Sequence, residues 1–250
     1  MQLEFFLPAN KHPTSYENVF RHTVSEAAKL GVNGFPTIIY ADFETGIHNA
    51  LTTEWPGSEV KACPLHLGQR WWRNIQSLGL GKQYGKKDSE VSHFLKKIFG
   101  LSLLPPAEVC DCFVLEFLSN LPNDKRVKQF CGYLLENCID ADSTFPPHVW
   151  SECTASSLRT INACELFHAH LNALFYSVDH KTFVLVSALQ KIQNETYIKL
   201  RGVTTRKPKK SATFKQEDLI SKSGQHRINL ISVIEFVSLV SFKFLQNTHL

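Results

Sequence analysis

Thr37-Ile38-Ile39-Tyr40-Ala41-Asp42-Phe43-Glu44 is the stretch from which the fold is read. Its first half is rich in β-branched and aromatic residues, so Thr37 to Tyr40 reads as a buried strand. Asp42 closes that strand and can open a helix over Phe43 to Leu51. Working back toward the N-terminus, Asn33-Gly34 marks a turn and Gly31 a helix stop. Val19, Phe20, Val24, Ala27, Ala28 and Leu30 fall at helical spacing behind a Thr14 or Ser15 cap. Leu3 to Leu7 resembles a short strand that Pro8 stops. Strand, helix and strand in this order point to a βαβ crossover with a parallel pair.

Downstream of Asp42, Val60-Lys61-Ala62-Cys63 reads as a further short strand. It leads into a helix through Gln69, Arg70, Trp71, Trp72, Arg73 and Ile75, closed by Gly79, Gly81 and Gly85. From about Ser89 to Cys138 the pattern is helical throughout. Val91, Phe94, Leu95, Ile98 and Phe99 make one apolar stripe; Val114, Phe117, Leu118 and Leu121 make another. Pro105-Pro106, Pro122 and Pro146-Pro147 punctuate it. The reading is an all-α insertion inside an α/β core, followed by a basic stretch from Arg201 to Lys215.

Composition sets the outer bounds. At 250 residues with 43% apolar content, the chain can bury a substantial core and is not of a disordered class. The net charge of +4 is compatible with a polyanionic partner without requiring one. Seven cysteines, an odd number at uneven spacing, do not read as a disulfide framework, which favours the reducing cytosol or nucleus over secretion. The N-terminus lacks the basic and apolar regions of a signal peptide. The apolar stretch Ile228 to Leu245 is interrupted by Asn229, Glu235 and Lys243, which argues against a membrane span.

The chemistry rests on two carboxylates. Asp42 lies at the carboxyl end of a strand, where open α/β sheets place ligands, although an aspartate there can equally serve as a helix cap. Glu165 lies on a helix that repeats Glu165, His168 and Asn172 along one face, with Leu166, Leu171, Leu174 and Phe175 on the other. Two carboxylates on rigid elements are what hard divalent cations in a phosphoryl-transfer site require. Cys63 and His66 have the spacing of half a zinc site, but Cys110, Cys112, Cys131 and Cys138 offer no matching second half, so a structural zinc is the weaker reading. Trp71-Trp72-Arg73 and the run Arg206, Lys207, Lys209 and Lys210 combine the stacking and cationic groups of a nucleic-acid groove; core packing and a solvated loop are the bland alternatives.

Taken in order, these motifs resemble the Mutator-like element (MULE) transposase domain of the ribonuclease H-like DDE group. The resemblance runs from Phe6-Leu7-Pro8 and Ser15-Tyr16-Glu17-Asn18-Val19-Phe20 through Ile38-Ile39-Tyr40-Ala41-Asp42-Phe43-Glu44 to Cys63-Pro64-Leu65-His66-Leu67-Gly68-Gln69. It continues with Trp72-Arg73, Leu78-Gly79-Leu80, Val149-Trp150, Arg159-Thr160-x-Asn162-x-x-Glu165-x-x-His168 and Arg227-Ile228. It implies an α/β fold, a partial ribonuclease H-like core of mixed sheet and flanking helices. Residues 1–85 would carry Asp42 and the Cys63-x2-His66 motif, 86–157 the helical insertion, and 158–250 the Glu165 helix and the basic segment. Asp42 would be the second catalytic aspartate and Glu165 the third acidic member, together holding Mg²⁺ or Mn²⁺. Cys63, His66, Asn162 and His168 would shape the site. Trp72, Arg73, Arg206, Lys207, Lys209 and Lys210 would contact DNA. Transposon ends and other transposase subunits would be the partners, in the nucleus or cytoplasm and away from membranes.

The departures from that pattern set a further expectation. The family's first aspartate precedes this point, yet residues 1–41 contain none, and Glu4, Glu17 and Glu26 match no motif. The upstream zinc-binding DNA-recognition domain has no counterpart, and Ile161 stands where the family string has asparagine. With one anionic ligand fewer, the chain is expected to be inactive alone. The alternatives are a domesticated or remnant DNA- or protein-binding module, and an active nuclease whose first aspartate comes from an upstream exon or a partner.

Overall fold

A computed structural model describes residues 6, 10–32, 34–151, 167, 170, 171, 173, 174, 182–201, 222, 223, 225, 226 and 230–247. Helix α1 (Pro13–Lys29) starts on proline, whose fixed φ suits a first turn, with His12 rather than Thr14 or Ser15 at the cap position. It ends as expected at Gly31, whose φ of 75° lets the Gly31 and Val32 N–H groups return to the Ala28 and Ala27 carbonyls. Strand β1 (Ile38–Ala41), helix α2 (Thr45–Glu54) and strand β2 (Glu59–Ala62) follow. The strands pair in parallel, Ile38 opposite Glu59 through Ala41 opposite Ala62, so α2 is the crossover of a βαβ unit. The strand expected over Leu3 to Leu7 lies, except for Phe6, outside the described residues.

The buried-strand reading of Thr37 to Tyr40 is corrected. Ile38 is 46% and Tyr40 38% exposed, and among the described residues β1 has β2 as its only sheet neighbour. Among those residues the chain is mostly helical, with this two-stranded parallel sheet.

Helix α3 (Pro64–Ser77) leaves β2 directly and stops at Gly79, φ 71°. The region expected to be helical is so: α4 (Gly81–Tyr84), α5 (Glu90–Ile98), a 3₁₀ turn (Phe99–Leu103), α6 (Pro106–Cys112), α7 (Lys125–Leu134) and α8 (Pro147–Trp150). After α6 and α7 the chain widens to i→i+5 winding over Phe113–Leu118 and Leu135–Ile139. That winding shifts the apolar stripe: Phe113 and Phe117 are buried, whereas Val114 and Leu118, expected inside, are 42% and 36% exposed. In the first stripe Phe94, Leu95, Ile98 and Phe99 are buried as expected.

One continuous apolar cluster joins these pieces, from Ala62 and Leu67 through Trp71, Phe99, Phe130 and Trp150 to Phe236, Val237 and Val240. Trp71 meets Trp150 and Phe99 edge-on at 5.5 and 5.6 Å. The Trp150 indole N–H is satisfied by the carbonyls of Phe145 and Cys138, so burying it leaves no donor without a partner. The final helix, Val233–Asn247, opens on a reciprocal cap: Glu235 accepts from the Ser232 N–H and hydroxyl, and Ser232 Oγ accepts from the Glu235 N–H. Among the described residues no helix is long and apolar enough to cross a membrane.

Candidate functional site

Parallel pairing brings the carboxyl ends of β1 and β2 side by side, which sets the position of every group that follows. Ala41 and Ala62 are opposite one another, so the next residues, Asp42 and Cys63, emerge together. The Cys63 N–H donates to the Ala41 carbonyl at 2.7 Å, extending the ladder one step. Cys63 is the cap residue of α3 and Pro64 its first helical residue, so His66 projects from the first turn. Its Nδ1 lies 3.3 Å from Asp42 Oδ1, an ion-pair distance. The Cys-x2-His spacing thus delivers an imidazole to the acid at the end of the neighbouring strand.

The helix-cap reading of Asp42 is corrected. Helix α2 begins at Thr45 with Glu44 in the cap position, and no side chain caps it. The Asp42 carboxylate accepts instead from the adjacent Phe43 N–H at 2.6 Å and stays 51% exposed. Below it, His48 on α2 makes a 2.9 Å hydrogen bond between Nε2 and the Asp42 carbonyl, which requires Nε2 to carry the proton. Burial holds the His48 imidazole below the ordinary histidine value, opposed by that hydrogen bond and by the Asp42 charge.

Glu44 is fully committed. The Tyr16 hydroxyl donates to Oε1 at 2.6 Å and Lys11 Nζ to Oε2 at 3.0 Å, clamping α1 against the turn that carries Asp42. The clamp holds Glu44 below the usual carboxylate range, chiefly through the Tyr16 hydrogen bond. Burial, then the Glu44 bond, pushes the Tyr16 phenol up to about 12. Sequence reasoning overlooked His48, Glu44, Tyr16 and Lys11. His48 was findable six positions past Asp42 on the crossover helix, whereas the Tyr16–Glu44 contact has no local signal.

The remaining residues divide. Trp71 is wholly buried and cannot stack on a base; Trp72 is half-buried against Tyr84 at 4.8 Å between ring centres; Arg73 is exposed on the same helix. Glu165, Asn162 and His168 lie outside the described residues, as do Arg206, Lys207, Lys209 and Lys210. The thiols of Cys112 and Cys131 are pushed up to about 12 by burial and stay protonated at neutral pH, a poor state for metal ligation. Among the described residues no three His, Cys, Asp or Glu side chains gather as a metal site. Asp42 supplies one hard, accessible carboxylate there, which suits Mg²⁺ or Mn²⁺ as part of a larger ligand set.

Compared with protein-family models, with curated proteins and with solved structures, the chain matches none.

Proposed function

We propose that this chain is a transposase-derived domain of the Mutator-like type, built on a ribonuclease H-like core and related to enzymes that cut and rejoin DNA phosphodiesters. The observation that carries the reading is the placement of Asp42. It stands half-exposed at the carboxyl end of a parallel strand, its carboxylate is not used as a helix cap, and it faces His66 of the Cys63-x2-His66 motif. Asp42 and Glu165 would hold the divalent cation, whose part is to activate an attacking oxygen and stabilise a leaving one. The chain's own share is to fix Asp42. The strand ladder, the Phe43 N–H and His66 set its carboxylate, and Glu44, clamped by Tyr16 and Lys11, braces the turn.

The proposal is of a domain that binds a divalent cation and DNA through these residues. Its partners would be transposon-end DNA and further transposase subunits, and its location the nucleus or cytoplasm. The test is Mn²⁺ calorimetry on the whole chain and on an Asp42→Asn, Glu165→Gln double variant. Saturable binding that disappears in the variant supports convergence of the two acids. Equal heats from both proteins, or none from either, would refute it.

A further inference from the structure

Arg70 sits one helical turn beyond His66 on α3, so the two side chains share a face. Its guanidinium carbon lies 6.0 Å from the ring centres of Phe43 and Tyr133 and 5.5 Å from that of Phe145. Its Nε donates to the Tyr133 hydroxyl at 2.7 Å. Among the described residues no carboxylate pairs with it, and its two terminal nitrogens make no hydrogen bond. By contrast Arg126 is closed onto Asp124, and Arg21 onto Glu17 and Glu54.

The cage is joined to the Asp42 site. Phe43 is the next residue after Asp42, and its ring meets Phe145 at 5.0 Å. His48, bonded to the Asp42 carbonyl, also packs edge-on against Phe145 at 5.2 Å. Three aromatic rings, one of them the Tyr133 phenol, therefore hold a cation next to the Asp42–Phe43 turn, and no described carboxylate neutralises it. The rings fix its position through cation–π attraction, and the Nε bond fixes the plane of the fork. Its terminal N–H groups remain the donors that bind phosphate or carboxylate in two-point fashion.

We propose that Arg70 is the phosphodiester-binding residue of this site, gripping a backbone phosphate next to the one presented to Asp42. The inference deepens the DNA reading above and rests on it for the choice of phosphodiester over another oxyanion. A cation held in place among rings needs little reordering to meet an incoming anion, so it is preorganised for one. Arg73, the one described surface cation on which the sequence reading relied, has no such cradle among the described residues.

The experiment titrates the whole chain, its Arg70→Gln variant and its Arg70→Lys variant with a fluorescent DNA duplex at several KCl concentrations. In parallel, the Arg70 Nε–H signal is followed by NMR as inorganic phosphate is added. Losing one phosphate contact is expected to weaken DNA binding about tenfold in Arg70→Gln and to flatten the salt dependence by about one phosphate's worth. Arg70→Lys keeps the charge, so it should keep the slope and lose only part of the affinity. That variant carries the test should the glutamine form fail to fold. DNA binding with unchanged affinity and slope in both variants would overturn the Arg70 assignment and leave the DNA reading standing. No DNA binding by the parent chain, with a phosphate-dependent shift at Arg70, would sustain the anion site and sink the DNA reading. Silence in both titrations would sink both.

Discussion

Replacing Gly100 by alanine sets two effects of opposite sign against each other. Gly100 lies in the 3₁₀ turn after α5, where a Cβ would fall 2.5 Å from the Val237 carbonyl oxygen and 2.9 Å from Val237 Cγ1. Backbone helicity alone favours alanine over glycine by about 0.8–1 kcal/mol. Against that, a methyl placed inside contact distance of a neighbouring backbone atom must push the helix Val233–Asn247 away, and overpacking of this kind costs about 1–3 kcal/mol. Backbone cannot yield as a side-chain tip can, so the steric cost should prevail and the net change should be a loss of up to about 2 kcal/mol. Gly132 in α7 is the internal control, since nothing lies within 4 Å of its Cβ position. There the same substitution should stabilise by up to about 1 kcal/mol. Urea unfolding of the parent and both variants, followed by far-UV circular dichroism, reads the two signs directly. A Gly100→Ala protein as stable as the parent, beside a stabilised Gly132→Ala protein, would show that the final helix does not seat on Phe99–Leu103 in solution.

Two further predictions concern titration. Asp124 caps α7 through the Arg126 N–H at 2.9 Å and pairs with the Arg126 guanidinium at 2.7 Å, which together hold its carboxyl near 2 against an ordinary 3.8. Its folded value is the lower one, so its stabilisation is complete above about pH 4 and vanishes as pH falls through about 2. Asp124→Ala should therefore cost about 0.5–2 kcal/mol at neutral pH and nothing below pH 2; an equal loss at both ends of the range would contradict the capping account. His48, its imidazole held down mainly by burial, should titrate below the ordinary histidine midpoint in an NMR pH series. A midpoint at or above that value would mean that the ring is not enclosed beneath Asp42.

What the sequence made legible follows from how local each signal is. The strand at Ile38–Ala41, the helix after Asp42 and the strand at Glu59–Ala62 were all readable, because two-residue and helical periods and glycine stops act over a few positions. The exposure of β1 was not, since burial of a strand depends on neighbours that its own residues do not encode. The stripe Val114–Leu121 misled because a 3.6-residue period cannot anticipate i→i+5 winding. At the site, Asp42 and His66 were named from their motifs, and the structure sets them 3.3 Å apart. Arg70 was invisible as a special arginine: Tyr133 is 63 positions away, and nothing near Arg70 distinguishes it from a solvated-face cation.

The distribution of charge argues that this corner of the molecule is not simply built for stability. Glu44, Glu54 and Asp124 each have a cation, and Arg21 and Arg126 each have a carboxylate, arrangements that hold surface helices together at little cost. Asp42 and Arg70 follow neither pattern. The acid is half-exposed at the strand ends with His66 rather than a lysine or arginine beside it, and the arginine is ringed by aromatics with no acid paired to it among the described residues. Phe43, the residue after Asp42, is one of the rings around Arg70, yet no ion pair joins the acid and the arginine among the described residues. On the function proposed above, an acid and a cation on adjoining elements would act together on a ligand that carries both a metal-binding and an arginine-binding oxygen. A phosphodiester is such a ligand, so that proposal requires that losing Asp42 abolish Mn²⁺ binding and that losing Arg70 flatten the salt dependence of DNA binding, each leaving the other property intact.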